Sequence, residues 1–376
     1  YYLFRARKII REGMNMERLY GEKSYRPNIF EIDFWGTKCG DDREYRDFER
    51  RKIKGNILLA AYYSPVTIQE ISIELGVALP YLEDEIKLLV DRQYLVCNNG
   101  RYLTNIPIFT LDCTKAIEER VHCLTAESAQ KFVAVADEFD ACFGNRFANS
   151  NLAHWQKILL CLHFSLIDTA NNLEKNYGEL PQEGPYSLVN GGGGRGIVWG
   201  RSNENVVGDK KPRGIQGIYN GCPSSDKRGS VIAMNFRQTL NAQEFVGAMT
   251  DPIVCTAVGC FEYLPDHLKK TLDDLHYSKD GKVNFAVWSY TEYDQFRKIL
   301  CKCISVVTEL FMMTAEIAAN ITADLAPSHI RKNAEYVGAF VYRFYSLDKL
   351  VDKLYEIEWI RAVADTEKPT ICVVRD

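Results

Sequence analysis

No Cys-x-x-Cys pair occurs among the twelve cysteines of this 376-residue chain, which removes the ligand spacing of a zinc knuckle. The closest pairs are Cys301 with Cys303, which on a helix point about 200° apart, and Cys255 with Cys260. The thiols read as free and buried in a reducing compartment. A metal held by distant ligands such as His122 and Cys123 is the lesser alternative, and no metal or cofactor is expected. Histidine is scarce, with six residues. His154 and His163 lie nine apart, as do His267 and His276, which is not metal spacing for one helix face. The Gly-x-Ser-x-Gly nucleophile elbow is missing, so no catalytic residue is assigned and the chain reads as a non-enzyme. Gly191-Gly-Gly-Gly-Arg-Gly196 lacks the Gly-Lys-Ser/Thr ending of a phosphate loop and leads into a strand pattern, Ile197-Val-Trp199. It reads as a wide hairpin turn, with a flexible ligand lid as the alternative.

Long apolar runs are lacking too. The longest, 303–315, contains Glu309 and is flanked by Lys302 and Glu316, too short and too charged to span a bilayer, and no signal peptide is visible. A soluble, cytoplasmic protein without a membrane partner is expected, and no internal repeat is visible. What is present is an ordinary globular composition, 46% apolar and 26% charged, in a length sufficient for two or three domains.

The chain begins as if inside a helix. Arg5, Arg7, Lys8 and Arg11 stand among Leu3, Phe4, Ile9 and Ile10 with neither an initiator Met nor a capping residue ahead, so the sequence reads as a piece of something longer. The string Phe4-Arg-Ala-Arg-Lys-Ile-Ile-Arg-Glu12 resembles the end of the promoter-reading helix-turn-helix in RNA polymerase sigma factors of the sigma-70 family. The resemblance implies that residues 1–18 are a stub of that helix, with its base-contacting turns upstream. Arg5, Arg7, Lys8 and Arg11 would then lie on DNA phosphates. It also implies a bacterial transcription regulator that engages RNA polymerase. A solvated cationic helix face is the plain alternative. Residues 19–54 follow as an aromatic arm, extended over 24–36, and a short charged helix from Asp41 to Lys54.

Residues 55–112 carry the strongest fold signal. Gly55–Tyr63 reads as a helix stopped by Ser64-Pro65, and Thr67–Leu75 as a second helix with a Thr67/Glu70 capping box and Gly76 as its turn. A third helix, 79–92, has apolar positions at Leu82, Ile86, Leu89 and Val90. Asn98-Asn99-Gly100 then makes a hairpin turn within 94–104, because Asn and Gly tolerate positive φ. Three helices and a hairpin in this order resemble a winged helix-turn-helix, which implies a DNA-reading third helix. The charge opposes that reading. Three cations against seven anions give residues 55–112 a net charge of −4, whereas residues 1–54 carry fourteen cations and ten anions, net +4. The duplex repels the former and attracts the latter. The candidate DNA contacts are therefore Arg5, Arg7, Lys8, Arg11, Arg50, Arg51, Lys52 and Lys54 in the flanking segment, with Lys87, Arg101 and Tyr102 in the module. A protein-docking role for the acidic module is the equal alternative.

Residues 113–376 read as one larger mixed α/β domain, regulatory or ligand-sensing. Helices are expected at 114–143, 152–177, 241–249, 264–275, 291–325, 336–344 and 347–359. Strands are expected at 197–199, 217–219, 230–236, 284–290 and 370–374. In the helix at 291–325, Lys302, Glu309 and Glu316 recur every seven residues, leaving a narrow wet stripe on an otherwise buried helix. The Gly-rich strands are expected to form an antiparallel sheet. Arg195, Trp199, Arg201, Tyr219, Trp288 and Tyr290, with Arg213 nearby, form a candidate pocket for a planar or anionic effector, against aromatic core packing as the plainer reading. The fold class is thus α+β, with a winged helix-turn-helix ahead of the larger domain. The expected function is a sigma-factor-like transcription regulator that binds DNA and RNA polymerase. The alternative is a protein-docking or small-molecule-sensing module without DNA contact.

Overall fold

Local capping signals set the first helices. In the computed structural model of the protein, Thr67 Oγ1 accepts the Glu70 N–H at 3.2 Å while Glu70 Oε2 accepts the Thr67 N–H at 2.6 Å, the reciprocal bonds of a capping box. Gly76 ends that helix in the left-handed region at φ 63°. The structure describes residues 21–24, 26–36, 51–143, 154–178, 196–203, 215–218, 222–236, 242–284, 286–360 and 370–374. The sequence-predicted stub at 1–18, most of the helix at 41–54 and the Gly191–Arg195 run lie outside them.

The helices are α1 (Lys52–Ala60), α2 (Ile68–Leu75), α3 (Pro80–Asp91), α4 (Leu111–Phe143) and α5 (His154–Tyr177). They continue with α6 (Ala242–Ala257), α7 (Asp266–Asp274), α8 (Tyr290–Ile299), α9 (Cys301–Leu325) and α10 (Arg331–Glu356). The strands are β1 (Ile29–Gly36), β2 (Val66–Thr67), β3 (Leu95–Asn98), β4 (Arg101–Thr104), β5 (Ile108–Phe109) and β6 (Gly196–Asn203). Next come β7 (Ile215–Ile218), β8 (Cys222–Pro223), β9 (Gly229–Phe236), β10 (Ser278–Lys279), β11 (Lys282–Val283), β12 (Ala286–Ser289) and β13 (Thr370–Val374). The protein is a mixed helix-and-sheet fold of the α+β kind. It divides into two units that interleave along the chain, residues 1–119, 177–207 and 316–339 against 120–176, 208–315 and 340–376, where the sequence alone suggests a linear order of domains.

In the first unit, α1, α2 and α3 surround Ile57, Leu58, Ile71, Leu82, Ile86 and Leu89, all buried. The strands β2, β4 and β3 form a small antiparallel sheet beside them. Its turn places Asn99 at φ 51° and Gly100 at φ 74°, the two positive angles of a tight hairpin. A second sheet, in the order β1-β6-β5, pairs β1 antiparallel with β6 over eight residues and β5 parallel with β6.

Residues 29–36, expected as part of an extended arm, are thus extended but built into a sheet. Phe30 is 2% exposed, and its ring fills the space that side chains at Gly55 and Gly200 would take. The buried amide of Asn56 acts as a peptide mimic. Its Oδ1 accepts the Asn28 N–H at 2.9 Å and its Nδ2 donates to the Asn28 carbonyl at 3.0 Å, fastening the start of β1 to α1 and leaving neither buried polar group unpaired.

Among the described residues, the second unit shows two core clusters. One gathers Phe132, Leu162, Phe164, Trp288, Phe296, Val307, Leu310, Phe311, Leu350 and Leu354. The other packs Val231 of β9 against Met249, Ile253 and Val254 of α6 and Leu272 of α7. That second core explains why α6 runs on through Pro252, past the expected end at 249, since apolar burial offsets the hydrogen bond that proline cannot donate. The sheet order is β12-β13-β9-β7, with β8 also on β9. The pairs β13–β9 and β7–β9 are antiparallel, whereas β12–β13 is parallel.

The helix expected over 291–325 is two helices. The chain turns at Leu300, where ψ is −2° and the side chain is fully buried. Lys302, Glu309 and Glu316 are exposed on α9 as their spacing predicts. Taken whole, Cys301–Leu325 is long and apolar enough to cross a membrane, with half of its apolar window buried in the fold; the run at 303–315 understates it. The two helices expected at 336–344 and 347–359 are one, α10, because no Gly or Pro stands between them.

Candidate docking and nucleic-acid interface

The outer face of α3 is what the packing of Leu82, Ile86 and Leu89 leaves over. Tyr81 is 74% exposed and Leu88 36%, with Glu83, Asp84, Lys87 and Asp91 also exposed. On α2, Ile73 is exposed at 52%. The face is therefore acidic and apolar, with Lys87 as the cation of α3. Direct base readout runs through Arg, Lys, Asn and Gln in the major groove, and this face offers Tyr, Leu and carboxylates in their place.

The expected DNA contacts fall into three groups. Arg5, Arg7, Lys8, Arg11 and Arg50 lie outside the described residues. Arg51, Lys54 and Arg101 are engaged within the module. Arg51 Nη1 stands 3.4 Å from Glu85 Oε1, and Lys54 Nζ stands 3.6 Å from Glu85 Oε2. Lys54 is 4% exposed and cannot reach a phosphate, because its position on α1 turns inward onto α3. Arg101 Nη1 donates to the Pro65 carbonyl at 3.0 Å and lies 3.6 Å from Glu70. The Thr67 N–H and hydroxyl, and then Arg101, hold the Glu70 carboxyl below its ordinary range. Lys52 and Lys87 form the third group, exposed and without an ion pair among the described residues. Tyr102 is half-buried, and burial followed by the neighbouring Cys97 raises its phenol.

The candidate effector pocket is not assembled from one sheet. Trp199 and Arg201 stand on β6, in the sheet of the first unit, with Arg201 3.7 Å from Glu31. Trp288 stands on β12, in the sheet of the second unit, 4% exposed and tilted against Phe296 with ring centroids 4.3 Å apart. Tyr290 is exposed at the start of α8, and Arg195, Arg213 and Tyr219 lie outside the described residues. The Gly-rich segment divides because β6 finds its partner in β1, more than 150 residues earlier in the chain, a pairing that no local pattern announces.

A different concavity, which sequence reasoning missed, opens in the second unit. A cleft of about 460 Å³ is lined by Asp168, Asn171, Asn172 and Lys175 of α5 and by Ile304, Ser305 and Thr308 of α9. Asp168 is bonded to Arg297, and the Ser305 hydroxyl turns back to the Cys301 carbonyl at 2.8 Å. Asn171, Asn172 and Lys175 supply the rest of its polar lining. No group of three or more metal-ligating side chains occurs among the described residues. No family model matches the chain, and no curated protein or solved structure matches it significantly.

Proposed function

We propose that residues 52–104 act as a winged helix-turn-helix and that α3 is its docking helix, set against a basic protein surface in a bacterial transcription complex. The order helix, short strand, helix, helix, hairpin supports the module. The observation that carries the docking role is the outer face of α3, where Tyr81 and Leu88 stand among Glu83, Asp84 and Asp91 while Arg51, Lys54 and Arg101 are engaged by Glu85 and Glu70. An aromatic anchor within a polar rim is the usual anatomy of a protein interface, and the acidic rim here gives it a charge complementary to a basic partner. Carboxylates on a DNA-reading helix would instead repel phosphate. Core RNA polymerase is the partner that the sigma-like string at residues 4–12 favours.

A second reading, direct DNA contact by the flanking segment, is favoured by the net charge of +4 on residues 1–54. Binding of the chain to core polymerase and to a DNA duplex, each titrated with salt, separates the two. Docking by α3 predicts that Glu83→Lys with Asp84→Lys slows association with polymerase about tenfold at low salt and strengthens duplex binding. Unchanged polymerase association in that variant, together with duplex binding lost in Lys52→Ala with Lys87→Ala, would overturn docking in favour of DNA contact.

A further inference from the structure

The end of α6 carries two thiols that the docking surface does not use. Gly259 sits in the left-handed region at φ 78°. Around it the Cys260 N–H donates to the Cys255 carbonyl at 2.8 Å and the Gly259 N–H to the Thr256 carbonyl at 3.1 Å. This is the Schellman arrangement, which folds the residue after the left-handed one back against the residue five before it. Here both residues are cysteines. Cys255 Sγ donates to the Cys260 carbonyl at 3.2 Å, which sets the Cys255 thiol against the backbone of Cys260, and Cys260 Sγ lies 3.9 Å from the Val258 carbonyl. Both are half-buried and free.

Arg228 completes the cluster. The turn after β8 is tied to α6 by the Ser225 N–H, which donates to Asp251 Oδ1 at 2.7 Å. Within that turn Asp226 accepts the Ser224 hydroxyl at 2.7 Å, the Arg228 N–H at 3.0 Å and Arg228 Nε at 2.5 Å. One edge of the guanidinium is thereby fixed, and its Nη1 is aimed at Cys260 Sγ at 3.6 Å. Burial, and then the Cys260 sulfur, raise the Cys255 thiol above its ordinary value, with Arg228 opposing.

We propose that Cys255 and Cys260 are a peroxide-sensitive dithiol in which Cys260 attacks, Cys255 resolves and Arg228 positions positive charge at the attacking sulfur. A thiolate beside an arginine is the form that reacts. The Cys260 thiolate attacks one oxygen of hydrogen peroxide, an S–O bond forms and the O–O bond breaks. Hydroxide leaves and becomes water with the proton the thiol gave up. The Cys255 sulfur then attacks the sulfenic sulfur, the S–S bond forms, and the displaced hydroxyl leaves as a second water with the Cys255 proton. Two thiols lose two electrons and two protons to one peroxide. In a reducing compartment such a bond is transient and serves sensing rather than stability.

The test treats the folded 376-residue chain with substoichiometric hydrogen peroxide, alkylates the remaining thiols and maps the cysteines by peptide mass spectrometry. The expected result is a Cys255–Cys260 disulfide formed before the exposed Cys97, Cys123 and Cys301 lose their free thiols. With Cys255→Ser, dimedone should trap a sulfenic acid at Cys260. Arg228→Gln should slow disulfide formation about threefold, through loss of the positive charge beside the attacking sulfur. Oxidation of the exposed cysteines as fast as the pair would overturn the dithiol, and this arm needs no variant. A dimedone adduct absent from Cys260 would overturn the order of attack, and an unchanged rate in Arg228→Gln would overturn the arginine's part.

Discussion

Gly200→Ala tests whether residues 29–36 are a packed strand or merely lie along a surface. A Cβ at position 200 would stand 2.3 Å from Phe30 Cζ and 2.9 Å from Cε2. The ring cannot retreat toward α1, because its own Cβ and Cγ already stand 2.2 and 2.3 Å from where a Cβ on Gly55 would be. Overpacking of this kind costs about 1–3 kcal/mol. Phe30→Ala removes a side chain that is 2% exposed and should cost about 3–5 kcal/mol through lost transfer energy and the cavity left behind. When the two changes are combined, the methyl group added at position 200 enters the space the ring vacated, so the double variant should be more stable than the sum of the singles by about 1–2 kcal/mol. Urea unfolding followed by tryptophan fluorescence reads all three, since Trp199 neighbours the site on β6. Additivity within about 0.5 kcal/mol, or no shift in either single variant, would refute the seating of Phe30 between α1 and β6.

Gly100→Ala isolates backbone strain, because a Cβ there meets nothing within 4 Å while φ is +74°. Stability of the β3–β4 hairpin should fall by about 1 kcal/mol, read as faster amide exchange at Arg101 and Tyr102; unchanged exchange would exclude the positive-φ turn. Asp226 supplies a pH dependence. The Arg228 N–H first, then the Ser224 hydroxyl and the Arg228 side chain, hold its carboxyl down to about 2 from an ordinary 3.8. A folded value below the unfolded one means that the anchoring of Arg228 is complete above pH 3.8 and is lost as the pH falls through about 2. A carboxyl resonance of Asp226 that titrates at the ordinary value would contradict the three hydrogen bonds.

Elements whose causes are local could be read directly from the chain. The Thr67/Glu70 cap, the Gly76 stop, the apolar spacing of Leu82, Ile86 and Leu89, and the Asn99-Gly100 turn all act within about a dozen residues, and α2, α3, β3 and β4 stand where those signals place them. The exposed stripe at Lys302, Glu309 and Glu316 was legible for the same reason. The close spacing of Cys255 and Cys260 was visible too, whereas the left-handed turn at Gly259 that sets the Cys255 thiol on the Cys260 carbonyl was not.

Long-range packing settled the rest. That β1 pairs with β6, that Lys54 turns inward to Glu85 and that Arg228 reaches Cys260 depend on chain segments brought together from a distance. The same packing divided one Gly-rich run between two sheets and carried α6 through Pro252. Such choices are made by burial and by pairing of polar groups across the fold, whose free energies exceed the propensity differences that a local reading weighs.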